Sequence, residues 1–79
     1  MKRINADKNR KIQRERGHSI EEVVTGGVLL DVRANPKYPK QFVEIYFLKD
    51  YVWAVVTAED PERYITMYKS RKLKKEYGL

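Results

Sequence analysis

The sequence predicts an α+β fold: two N-terminal helices packed on an antiparallel β-meander, with a short C-terminal helix closing the chain. Three observations carry that expectation. Capping residues and helix formers fill the first third, β-branched and aromatic residues dominate three segments between 41 and 69, and helix formers return behind Ser70. With 79 residues there is room for a single domain, 1–79, whose core is small.

After a short strand expected at Lys2–Asn5, "NADKNRKIQRERG" reads as a surface helix. Asn5 or Asp7 is its N-cap, Gly17 its stop, and Ile12 nearly its only apolar contribution. "HSIEEVV" opens a second helix with a capping box, Ser19 and Glu22, turning Ile20, Val23 and Val24 inward until Gly26-Gly27 ends it. "VLLDVR" is a short β-prone run, and "ANPKYPKQ" is a loop because its two prolines suit neither a helix nor a central strand. "QFVEIYFL", "YVWAVVTA" and "RYITMYK" follow as a meander, with turns at Lys49-Asp50 and at "EDPE". Period-two alternation in the last strand sets Tyr64, Thr66 and Tyr68 on one face and Ile65 and Met67 on the other. On that reading the aliphatic face meets the helices and the tyrosine face is partly open. Ser70 then caps "RKLKKEY" as an ordered helix.

The net charge of +6 is unevenly placed. Residues 1–16 hold seven Lys/Arg against two acids, residues 69–79 five against one, and the stretch between them five against eight. If the two ends meet, they make one basic face, the electrostatic footprint of a polyanion binder. The alternative is a pair of solvated charged helices.

Other chemistry is narrowed by what the chain lacks. Cysteine is absent, so disulfides, thiolate metal sites and cysteine catalysis are excluded, and His18, the one histidine, cannot build a His-rich metal site. No Gly-rich phosphate loop and no Ser/His/Asp set is present, and no cofactor is expected. No apolar run spans a bilayer and the N-terminus has no signal-peptide pattern, so a cytoplasmic protein without membrane contact is expected. RNA cleavage by its own 2′-hydroxyl, with cations neutralising the phosphorane, remains compatible with this inventory.

Two stretches, "DKNRKIQRERGHSIEEV" and "RYITMYKSRKLKKEY", together with the meander between them, resemble the BrnT family of bacterial toxins within the RelE-like ribonuclease superfold. The first is similar to the family's Asp-x-x-Lys…Lys-His-Gly-Ile-Ser-Phe-Glu-Glu signature, the second to its Arg-Ile-Ile-Ser-Ala-Arg ending. Arg16 stands where the family has His before Gly, and His18 falls just after Gly17. Lys69 and Ser70 stand at the family's Ser and Ala, and Arg71 matches its Arg. The resemblance implies a metal-independent endoribonuclease of a type II toxin-antitoxin system, acting on mRNA and silenced by a cognate antitoxin. By resemblance Arg71 is the residue that stabilises the transition-state phosphate, and Tyr77 is similar to the C-terminal tyrosine that some RelE-like toxins use to move a proton. His18, an imidazole and so of the side-chain type that ordinarily titrates near neutrality, is the other candidate for that proton. Arg16, Lys69, Arg63 and Lys72 are expected, from the resemblance and the charge split together, to bind the RNA backbone. Structural alternatives stand beside these roles: His18 can simply shape the turn, Arg71 can pair with an acid such as Glu59, and Tyr77 can pack the last helix down. For the whole protein, the alternative is a catalytically silent basic module that binds RNA, DNA or an antitoxin.

Overall fold

The computed structural model describes residues 3–59 and 62–79. Two helices, α1 (Ala6–Arg16) and α2 (Ile20–Gly26), precede four strands, β1 (Val28–Ala34), β2 (Gln41–Leu48), β3 (Tyr51–Ala58) and β4 (Arg63–Lys69), and α3 (Arg71–Glu76) ends the order. The strands form one antiparallel sheet in sequential order, so every connection is a neighbour-to-neighbour link. The α+β architecture is therefore as the sequence predicts.

Local chemistry explains the boundaries. The Asn5 side chain accepts the Lys8 N–H at 3.0 Å to start α1, and Gly17 ends it at φ 84°, a left-handed value that costs glycine nothing. Ser19 and Glu22 close the reciprocal capping box of α2, and Asn9 on α1 accepts the Ile20 N–H at 2.9 Å, tying the two helices together. Gly27 ends α2 in close quarters, since a Cβ there would stand 2.5 Å from the Val23 carbonyl oxygen. Ser70 accepts the Leu73 N–H at 3.1 Å and starts α3. At the β2–β3 turn Lys49 and Asp50 both take positive φ, 49° and 67°, as a two-residue hairpin of the primed type requires. The expected strand at Lys2–Asn5 reduces, among the described residues, to one parallel bridge between Arg3 and Arg63, and Lys2 lies outside them. Asp60 and Pro61 of the predicted "EDPE" turn also lie outside the described residues.

One sheet face carries α1 and α2. Ile12, Ile20 and Val23 from the helices meet Tyr46, Trp53, Val55, Tyr64 and Met67 from the sheet in a single buried cluster. The opposite face bears Val43, Ile45 and Tyr68, and α3 crosses it through Leu73, Lys72 and Glu76, leaving a cleft beside the β1–β2 connection.

The facial assignment of β4 needs correction. Val55 and Val56 pair with Met67 and Thr66, but Thr57 pairs with Tyr64, so Ile65 is an extra residue in a bulge. Alternation restarts there. Tyr64 consequently joins Met67 in the helix-side core at 7 % exposure, whereas Tyr68 stays on the α3 side and is exposed. No helix among the described residues is long and apolar enough to cross a membrane.

Candidate functional site

The turn between α1 and α2 sets the first group. Gly17 reverses the chain and the capping box fixes Glu22, whose carboxylate lies 3.1 Å from His18 Nδ1. The same carboxylate accepts the Gln13 side-chain amide at 3.0 Å and the Ser19 backbone N–H at 3.3 Å. These donors, His18 first and the Ser19 N–H next, hold the Glu22 carboxyl below its ordinary range. With Nδ1 donating to a carboxylate, Nε2 is the ring nitrogen left to accept a proton. The imidazole meets Trp53 edge to face, with ring centroids 5.4 Å apart.

Trp53 links this turn to the sheet. Because side chains alternate along β3, Tyr51 and Trp53 share the helix-side face, and Lys69 on β4 is in register with Trp53. The Lys69 ammonium lies 4.4 Å from the Tyr51 ring centroid and 5.3 Å from that of Trp53. Lys74 from α3 reaches the same tyrosine at 5.1 Å. Trp53 itself is 1 % exposed and its indole N–H points to the Leu48 carbonyl, so it is a floor; Tyr51, at 44 %, is a surface. Exposed cation–π contacts are worth about 0.5–1 kcal/mol each. Among the described residues no carboxylate pairs with Lys69 or Lys74. Two like charges thus share one aromatic ring, with no counter-ion among the described residues.

The sequence-predicted residues divide between this corner and other places. His18 and Lys69 come together through Trp53, and Arg16 is exposed at the end of α1, two residues before His18. Arg71 is exposed at the head of α3, two residues beyond Lys69, and forms no ion pair among the described residues. Arg63 starts β4, six strand steps or about 20 Å from Lys69, and so lies outside the corner. Lys72 lines the cleft under α3 on the other face of the sheet.

Tyr77 is held on that α3 side too. Its hydroxyl accepts from Arg33 at 3.2 Å and donates to Asp31 at 3.4 Å, and the Arg33 guanidinium lies 5.8 Å from its ring centroid. Arg33 also pairs with Glu76 at 2.7 Å and Asp31 at 3.2 Å. These partners raise the Arg33 pKa, Glu76 most, and the Arg33 hydrogen bond in turn lowers that of Asp31. This cluster clamps the end of α3 to β1.

Sequence reasoning missed Tyr51, Trp53, Lys74 and Glu22 as members of the corner. The signal was present in part: Tyr51-x-Trp53 shares a strand face, and Glu22 lies four residues after His18, one helical turn away. The same sheet face ends differently beyond the helices, where Glu44, Glu59 and Glu62 surround a hollow floored by Val32, Phe42 and Thr57. There Tyr46 donates to Glu44 at 2.9 Å, and burial first, then this carboxylate, raises the phenol well above its usual range. Cations thus gather at one end of the face and carboxylates at the other. No protein-family model, curated protein or solved structure matches the chain.

Proposed function

We propose that the chain is a toxin of a type II toxin-antitoxin system, a metal-independent endoribonuclease that cuts mRNA at the His18–Lys69 corner. One observation carries the reading: a carboxylate-held imidazole and Lys69 both lie against the Trp53 ring, Lys69 shares the Tyr51 ring with Lys74, and among the described residues neither lysine has a carboxylate partner. The similarity of the helical turn and of the closing segment to BrnT toxins supports it.

In this reading Lys69 and Lys74 bind phosphates and orient the backbone across Tyr51. His18 Nε2 takes the 2′-hydroxyl proton, the 2′-oxygen attacks the adjacent phosphorus, and the bond to the 5′-oxygen breaks. A 2′,3′-cyclic phosphate is left on one fragment, and the 5′-oxygen of the other takes a proton from solvent. Arg71, at the start of α3, neutralises charge on the phosphorane. Glu22 acts on the imidazole, fixing its tautomer and orientation. An antitoxin has a natural seat on the edge strand β1, where Val28, Leu29 and Val32 are exposed and one row of backbone groups is unpaired within the sheet.

A second reading, the catalytically silent module that binds RNA or an antitoxin, has its own support. The Tyr77 hydroxyl is engaged by Arg33 and Asp31, away from His18. Incubation of the purified protein with long single-stranded RNA in EDTA separates the two. The toxin reading expects cleavage that falls about 10²–10⁴-fold in His18→Ala, as loss of a general base does, and is also lost in Arg71→Ala. Uncut RNA with a salt-sensitive gel shift supports the silent module instead.

A further inference from the structure

The geometry points to Tyr51 as a stacking platform for an unpaired nucleobase whose flanking phosphate is taken by Lys69 and Lys74, so that this corner selects single-stranded RNA. The inference rests on the nucleic-acid reading of the corner and adds to it a residue and a ligand class. Tyr51 opens β3 directly after the exposed Lys49-Asp50 turn, and its own ring is half open to solvent.

The chemistry of the two lysines turns that exposure into a site. Their ammonium groups lie over the ring of Tyr51, and among the described residues neither has a carboxylate. A phosphate is a better partner for an ammonium than a π-face, because the hydrogen bonds it accepts are charge-assisted. When phosphate draws the lysines off, the ring face is released, and any base has a π-face with which to cover it. Trp53 cannot take this part, being buried beneath His18 and Lys69. A duplex hides its base faces in the stack while still presenting phosphates. The platform therefore acts only on unpaired nucleotides, and the lysines act on both.

Fluorescence anisotropy tests this with three labelled probes: a short single-stranded RNA, the same strand with abasic positions, and a blunt RNA duplex. The wild type is expected to bind the base-bearing strand more tightly than the abasic one. Tyr51→Leu, which keeps bulk but removes the π-system, should weaken the base-bearing strand about tenfold and leave the abasic strand and the duplex unchanged. Tyr51→Phe should bind like the wild type, with circular dichroism establishing that both variants are folded. Wild-type affinity in Tyr51→Leu overturns the Tyr51 assignment and leaves the nucleic-acid reading standing. Loss in Tyr51→Phe equal to that in Tyr51→Leu assigns the effect to the hydroxyl and overturns stacking. Absence of salt-sensitive binding to all three probes overturns the platform and the nucleic-acid reading together.

Discussion

Two clusters in this small domain each set cationic side chains over a tyrosine ring and differ in their counter-ions. At the end of α3, Arg33 lies over Tyr77 and is matched by Asp31 and Glu76; at the opposite sheet face, Lys69 and Lys74 lie over Tyr51 and no described carboxylate answers them. A cation over an aromatic ring is common to both, so it says nothing about function. The counter-ion is the difference. Arg33 directs its donors to partners inside the protein and joins α3 to β1, whereas no described carboxylate takes the donors of the two lysines. Guanidinium suits the clamp because its fork engages two partners at once, whereas an ammonium is a compact charge on a flexible stem, and under the proposed function it is free to swing to a phosphate.

Exchanging the charges should break this contrast most clearly. In the double variant Lys69→Gln, Lys74→Gln, the salt dependence of single-stranded RNA binding should flatten, the slope of log affinity against log salt falling by about 1.4 if each lysine meets one phosphate. Its melting temperature should change little, the relief of lysine–lysine repulsion offsetting the lost cation–π contacts with Tyr51 and Trp53. Arg33→Gln should do the reverse, leaving the slope intact and lowering the melting temperature, with a loss that shrinks in high salt. Equal slopes in the wild type and the double lysine variant would sink the functional half of the comparison.

The local parts of both regions were legible in the sequence. Gly17, Ser19, Glu22 and Ser70 act as caps through neighbours no more than four residues away, so their spacing identified those helix ends, and of the two N-cap candidates for α1, Asn5 and Asp7, it is Asn5 that caps the helix. The Tyr64 error has the opposite origin. A bulge depends on which residues of the partner strand it faces, and nothing in "RYITMYK" marks Ile65 as the extra one. The clusters were illegible for a related reason: Arg33 and Tyr77 are 44 positions apart and have no shared period to reveal them. Of the candidate residues taken one by one from the sequence, the topology brings His18 and Lys69 against the same Trp53 ring. The topology carries Arg63, Lys72 and Tyr77 elsewhere. Charge in the sequence counts cations and does not say which of them are already paired.

A smaller effect sharpens the imidazole side of the comparison. Glu22 has its carboxyl pKa lowered by His18 and the Ser19 N–H, and in the unfolded chain it returns to the ordinary carboxylate range. The folded state therefore holds this proton less tightly than the unfolded state. Its contribution to stability is present above the ordinary carboxylate pKa and is lost as pH falls through the lowered folded value. Glu22→Gln keeps an acceptor for the capping box and removes the charge. Melting temperatures should separate wild type from variant at neutral pH and converge in acid; a gap that stays constant with pH would mean that the charge on Glu22 plays no part.

The smallest expected effect concerns the turn that presents Tyr51. Lys49 and Asp50 occupy left-handed backbone conformations that Asn-Gly fills with less strain, and the loop length already fits. Lys49→Asn with Asp50→Gly should stabilise the domain by about 0.5 kcal/mol, the relief of strain being partly offset by the greater freedom of glycine in the unfolded chain. The exchange removes one charge of each sign, so the net charge is unchanged. If RNA affinity is also unchanged, the strained turn is tolerated only because the hairpin as a whole is stable enough to carry it. If affinity falls while stability rises, Lys49 belongs with Lys69 and Lys74 as a third cation beside the same ring. The strain would then be retained for binding, in the manner of strained backbone at other functional sites. The contrast with the Arg33 clamp would then extend from side-chain charge to the backbone, since the positive φ values among non-glycine described residues fall in the turn beside Tyr51 and none falls at the clamp.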